Sequence, residues 1–264
     1  MEKQLLLAGV FLFISMLFSM IGMGGGILYV PILLFAGYSM KIAPGISLIL
    51  IMSTSLAALF HFYKNKKVDW KLALVIDPPT DIMAFVGGYF SALVPENILQ
   101  GLLAAILLLA GVLMIKKKSE SGVYRQPTKP WYWHRHFDEV DYSVNLPLVL
   151  TATAAIGILA GMLGITGGII KLPIMVLLCG VPMDIAVATS TVMVALTAGS
   201  GVIGHALHGN VDWHTGLTLA LAAIIGGLIG SRISLNTDKS KLKRIFGFII
   251  LLIALQIIYK LTTQ

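Results

Sequence analysis

Residues 102–115 read LLAAILLLAGVLMI, apolar on every face of any helix or strand, and runs of this kind recur along the chain. A barrel strand alternates polar and apolar residues with period two, and a surface helix of a soluble domain keeps a polar stripe; this run does neither. About 20 apolar residues span the ~30 Å hydrocarbon core of a bilayer, where each unpaired backbone group costs several kcal/mol. The chain therefore reads as an all-α polytopic membrane protein. Composition agrees, with 57% hydrophobic and 12% charged residues against about 25% charged in an ordinary soluble domain.

The net charge of +7 lies mostly in loops beside hydrophobic segments, where it orients a chain in the bilayer and needs no nucleic-acid partner. A lone cysteine, Cys179, excludes an internal disulfide framework and any CxxC site. The N-terminal segment has the Lys3 and apolar core of a signal peptide, but an internal copy marks it as retained.

That copy is one half of a duplication. GMGGGILYVP at 22–31 echoes GITGGIIKLP at 164–173, and after a one-residue slip Gly37 meets Gly180, Ser47 meets Ser190 and Val68-Asp69-Trp70 meets Val211-Asp212-Trp213. An ordered series of matches over ~65 residues is a repeat, not chance. Each copy carries five hydrophobic segments: 5–21, 27–37, 42–62, 72–94 and 98–115, then 146–163, 169–180, 185–207, 216–235 and 242–261. The second of each is only ~17 Å of helix. An odd number of crossings turns the second copy over, so the expected architecture is two inverted-topology repeats, 1–115 and 146–264, joined by a linker at 116–145. The basic loops then fall on one side, which places the linker in the cytoplasm and both termini outside an inner, cell membrane.

Each glycine-rich tract precedes a short segment interrupted by a proline, Pro31 or Pro173, which breaks a helix ladder. Broken backbone at membrane depth must be buried in protein or line a wet cavity, so the tracts are expected to meet near the middle of the protein. A short helix starting at Gly26 or Gly168 would present free N–H groups to an anion; close packing through small residues is the alternative.

The repeated G-x-G-G-[GI]-x-x-x-P signature, the Gly-Tyr-Ser-Met and Gly-Val-Pro-Met turns and the Ser/Thr-rich helices after them resemble the TauE/SafE family of sulfite exporter-like transporters. The resemblance covers nearly the whole chain apart from about 118–141. It implies transport, commonly outward, of sulfite, sulfonates or other small sulfur-containing anions, with Gly24, Gly25, Gly26, Thr166, Gly167 and Gly168 in the signature tracts.

The polar residues inside the apolar segments complete the expected site. Lys171 lies in IIKLPIMVLL and its counterpart in the first copy is Tyr29, so the scaffold does not require the charge. A lysine at the centre of a membrane helix costs about 2.5 to 3.5 kcal/mol, which suits a cationic partner for an anion; snorkelling to a headgroup is the alternative. On that reading Lys171→Met abolishes transport and leaves folding near normal. Ser53, Thr54, Ser190 and Thr191 offer hydroxyls to an oxyanion, or bond their own helix carbonyls. Asp77 and Asp81 share a helix face: Asp77 precedes Pro78 and Pro79 as a helix cap would, and Asp81 is a candidate coupling residue or partner of Lys171. His205, His208 and His214 match no metal-ligand spacing and read as interfacial.

The sequence thus describes a secondary transporter of a small sulfur-containing anion, an exporter working by alternating access, with no cofactor, metal or nucleotide site. No GxxxxGK[ST] loop is present. An anion channel on the same repeats and, from another class, a membrane-embedded enzyme are the rival readings.

Overall fold

A computed structural model describes residues 2–22, 26–115, 130–165, 167–234 and 239–263. Gly24, Gly25 and Thr166 therefore lie outside the described residues. The first half comprises α1 (Glu2–Ser19), α2 (Gly26–Phe35), α3 (Ala43–Lys64), α4 (Trp70–Ile76), α5 (Pro78–Phe90) and α6 (Glu96–Ile115). A hairpin of β1 (Tyr132–Phe137) and β2 (Val140–Asn145) follows. The second half is α7 (Leu146–Leu163), α8 (Gly168–Pro173) with a wide π-turn over Ile174–Leu178, α9 (Met183–Ala206), α10 (Trp213–Ser234) and α11 (Lys239–Thr263). Four of these, α3, α7, α9 and α10, are long and apolar enough to cross a membrane. Large apolar side chains such as Leu5, Phe13, Leu56, Ile82, Leu217 and Leu252 point outward and exposed, as lipid contact requires.

Local chemistry explains the interruptions. Pro78 and Pro79 have no N–H to offer the carbonyls of Leu74 and Val75, so the first half's fourth segment breaks at Asp77 into α4 and α5. Its counterpart α10 has no proline and is continuous. Pro173 likewise ends α8 and the chain widens into the π-turn, closed by Cys179 N–H on the Ile174 carbonyl at 3.2 Å.

The helices pair across the halves. α10 packs on α1 and α3 of the first half, while α5 packs on α7 and α9 of the second; α3 packs on α9 and α6 on α11. Exchanging the halves leaves this set unchanged. Each fourth segment is thus lodged in the other half, and two interlocked bundles result, one built on α1, α3 and α10 and the other on α7, α9 and α5. Small residues permit the close crossings: Gly157 and Gly161 of α7 lie against Thr80 and Ala84 of α5, as Gly226 and Gly230 of α10 lie against Ser15 and Ser19 of α1.

α3 and α9 run antiparallel. Gly45 near the start of α3 faces Asn210 and Val211 past the end of α9, and Lys67 past the end of α3 reaches Asp184 at the start of α9 at 3.5 Å. The duplicated serines tie this pair to the tracts: Ser47 donates to the Gly164 carbonyl at 2.6 Å and Ser190 to the Gly22 carbonyl at 2.8 Å. Gly22 and Gly164 both turn at left-handed φ, +71° and +65°, where a Cβ is strained and would also strike Val187 or its equivalent Pro44. The described parts of α2 and α8 pack chiefly on α3 and α9 of their own halves; residues 23–25 and 166 of the tracts, on which the expected meeting of the two depends, lie outside the described residues.

The hairpin corrects the all-α expectation. Tyr132 pairs with Asn145 and Phe137 with Val140, and the turn at Asp138 and Glu139 has φ of 50° and 63°, the two-residue hairpin geometry that matches strand twist. It is fastened to Asp69, a fully buried side chain that caps α4 through the Leu72 N–H at 3.1 Å. Arg135 donates to both Asp69 oxygens at 3.0 Å each, and the Tyr142 hydroxyl donates to one of them. The Asp69 bond raises the pKa of Arg135, and burial together with Asp69 raises that of Tyr142. Lys67 meets Asp138 at 2.5 Å, an exposed pair of about 0–1 kcal/mol. Arg135→Ala is expected to cost about 1.5–3 kcal/mol, the range for hydrogen bonds to a charged group, and to speed proteolysis within 130–145. Cleavage at the wild-type rate would show that the hairpin is held by other contacts.

Candidate functional site: a buried ion pair between α8 and the α4–α5 break

Lys171 does not snorkel. Its side chain is 1% exposed, and its ammonium pairs with Asp77, also 1% exposed. A second Nζ–H donates to Thr197 on α9 at 2.9 Å, and the Thr197 hydroxyl donates onward to Asp81 on α5 at 2.9 Å. Three elements build this group: α8 points Lys171 back toward the tract, over Gly167, as helical side chains lean toward the N-terminus; the proline break exposes Asp77; one helical turn further on stands Asp81. Eight residues separate Asp77 from Asp69, which sets the pair ~12 Å of helix below the hairpin.

Asp77 makes no capping bond to α5, which corrects its reading as a cap: with the lysine facing it, the carboxylate takes the charged partner. Asp77, not Asp81, holds Lys171 directly. The second Asp77 oxygen has no hydrogen-bond partner among the described residues, and neither does the buried Thr80 hydroxyl. Because Lys171 is half of a buried pair, its removal strands a carboxylate, and the expectation that Lys171→Met folds normally no longer holds.

The duplication supplies an internal control. In the mirror position, between α2, α3 and α10, Tyr29 stands for Lys171 and its hydroxyl meets Thr54, the counterpart of Thr197, at 3.0 Å. Ala220 and Ile224 take the places of Asp77 and Asp81. One bundle therefore carries three charges at the point where the other carries none.

The remaining expected site residues divide. Thr54 donates to its own helix at Leu50 and meets Tyr29. Ser190 bonds the Gly22 and Val187 carbonyls, and Thr191 bonds Val187. Ser53 is half-buried on α3. Gly167 lies beside the Lys171 stem, Gly168 opens α8 and Gly26 opens α2. Among the described residues, Lys171, Gly167 and Asp81, with Asp77 and Thr197, come together around charge. His205, expected at the interface, is buried instead: Nε2–H donates to the Gly161 carbonyl at 2.8 Å where α9 crosses α5 through Gly88, Gly201 and Gly204. No cluster of three metal-ligating side chains forms among the described residues.

The chain as a whole is similar to membrane transporter proteins. The family model described as "Sulfite exporter TauE/SafE" matches residues 7–257. Three proteins carrying the name "Probable membrane transporter protein" are similar: YunE of Bacillus subtilis, 29% identical over 92% of each chain; YfcA of Escherichia coli K12, 26% identical over 96% of this chain and 90% of that one; and MJ0441 of Methanocaldococcus jannaschii, 29% identical over 73% and 68%. No solved structure matches the chain. Apolar helices exposed to the surroundings, a duplicated broken-helix core and a match spanning both halves carry one conclusion: this multi-pass membrane protein belongs to the sulfite exporter TauE/SafE family.

Proposed function

We propose that the protein is a secondary transporter, working as an exporter, that carries a small sulfur-containing anion such as sulfite or an organosulfonate, and that the anion binds at Lys171. The observation that carries this is a fully buried lysine which the same scaffold does without in its other half. A cation kept at that cost marks a substrate path by default in a membrane protein. Thr197 supplies a hydroxyl beside it, and the tract at Gly167 and Gly168 lets backbone approach closely.

In this reading the repeats 1–115 and 146–264 are inverted about an axis in the membrane plane. The antiparallel run of the equivalent helices α3 and α9 supports that, as does the exchange-invariant pairing. The moving bodies are then the two interlocked bundles, not the halves of the chain, since each bundle contains the other half's fourth segment. The hairpin and the basic α3–α4 loop, joined by Lys67 and Asp138, lie on the cytoplasmic side with the linker, and the termini lie outside. The pair as it stands is closed, 1% exposed on both partners, as an occluded state of an alternating-access carrier would be.

Vesicles reconstituted with the purified protein and loaded with sulfite test this. Saturable sulfite flux that accelerates when sulfite is also present on the far side is expected, because a carrier exchanges and a channel does not. Single-channel currents, or no flux of any sulfur oxyanion or sulfonate above protein-free vesicles, would contradict it.

A further inference from the structure

We propose that the proton is the second substrate of this site: the anion seats on Lys171 by displacing Asp77, and the displaced carboxylate takes up a proton and travels with it. The inference rests on the assignment of Lys171 as the anion's partner and adds what that assignment requires of its neighbours.

Charge conservation carries it. Lys171 and Asp77 form a buried neutral pair, and the half-buried Asp81 beside them brings the formal charge of the group to −1. A singly charged oxyanion entering without compensation would bring the group to −2, with Asp77 stripped of its only counterion and out of reach of water. One proton on Asp77 returns the site to its original charge. The exchange balances: ammonium–carboxylate pair plus anion plus proton gives ammonium–anion pair plus carboxylic acid. The second Asp77 oxygen, unpartnered among the described residues and beside the unpartnered Thr80 hydroxyl, is where that acid can find a bond.

The group that competes with substrate is Asp77, because it pairs with the ammonium directly, whereas Asp81 accepts from Thr197 and keeps that bond when Lys171 changes partner. The charged groups facing Asp77 are Lys171 from α8 and Asp81 from α5; α9 brings the Thr197 hydroxyl and α7 the Thr153 hydroxyl, which bonds the Ile76 carbonyl at 3.2 Å. The mirror site argues the same way. Where Tyr29 replaces the lysine, both carboxylates are gone as well, replaced by Ala220 and Ile224. The three charges occur as a set, as expected if the acids serve the lysine's cycle and not the scaffold. Transport of a singly charged anion by this cycle is electroneutral, and its direction follows the product of anion and proton concentrations.

Sulfite binding to the purified full-length protein, measured by calorimetry across a range of pH, tests the step. Expressed per singly charged hydrogen sulfite ion, so that sulfite's own titration is divided out, wild-type affinity is expected to weaken about tenfold per pH unit on the alkaline side, the slope of one linked proton. Asp77→Asn, with Asp77→Ser in reserve should the amide misfold, is expected to give a flat profile. Wild-type binding that is itself flat on this scale overturns the proposal while leaving Lys171 as the anion's partner. A wild-type slope that survives in both variants removes Asp77 as the proton's carrier and overturns it equally. Absence of sulfite binding at any pH is a different failure, that of the assignment on which the proposal rests.

Discussion

Lys171→Met lowers the stability of the detergent-solubilised protein by about 3–5 kcal/mol, the cost of leaving one partner of a buried ion pair behind. The physical cause is Asp77, 1% exposed and stranded without its counterion beside a second carboxylate, Asp81. Asp77→Asn alone costs less, because Asp81 still faces the ammonium across Thr197. Combined, Lys171→Met with Asp77→Asn removes both charges and recovers at least half of the loss, since replacing a whole buried pair by uncharged groups is often close to neutral. Some deficit remains: the amide still needs hydrogen bonds, and Thr197 has lost the donor that met it at 2.9 Å. Thermal midpoints of the four proteins form a double-mutant cycle that isolates the pair. Additive losses would show that Lys171 and Asp77 do not hold each other.

Gly161→Val is expected to force α5 and α7 apart. A Cβ at Gly161 would overlap the carbonyl of Ala84 on α5, and in the mirror crossing a Cβ at Gly230 of α10 would overlap the carbonyl of Met16 on α1. Backbone, unlike a flexible side chain, cannot step aside, so α5 and α7 must separate. Overpacking ordinarily costs about 1–3 kcal/mol and occasionally more; two backbones in contact put this site at or beyond the top of that range. The shift also moves Asp81 and the α4–α5 break away from α9, so loss of sulfite binding accompanies loss of stability. Gly101→Ala on α6, where a Cβ meets nothing within 4 Å, is expected to raise stability by about 0.5–1 kcal/mol, the gain of Ala over Gly in a helix interior. Equal midpoints for the two variants would mean that the close crossing does not form.

Much of this architecture is legible in the residues themselves. Apolar runs mark the helices, the aligned glycines and Val-Asp-Trp pairs mark the duplication, and Pro173 marks the end of α8, whereas α2 runs on through Pro31 against the expectation of a break there. Lys171 is legible as an anomaly because its counterpart is Tyr29. What escapes is what distance in sequence hides. The lodging of α5 and α10 in opposite halves depends on contacts more than 60 residues apart, as between Gly161 and Ala84, and no local pattern encodes it. Asp77 sits beside two prolines, the strongest local signal for a helix start, and that signal conceals a partner 94 residues away. The hairpin leaves a trace in the aromatic and β-branched run around an Asp-Glu pair, but its turn uses no glycine or asparagine at its positive-φ positions. The serines are instructive in the opposite sense: Ser47 and Ser190 are visibly paired in the alignment, yet only the folded chain shows each bound to the other half's tract.

One claim bears the weight of the rest, that a small sulfur oxyanion is held by Lys171. Sulfite-dependent thermal stabilisation of the wild type and of the Lys171→Met/Asp77→Asn protein, which lacks the ion pair, measures it with folding controlled. Specific binding stabilises by about 2.7 kcal/mol at a hundredfold excess over Kd, so a saturable rise in the wild-type midpoint and no rise in the folded double variant are expected. An equal rise in both would place the anion elsewhere.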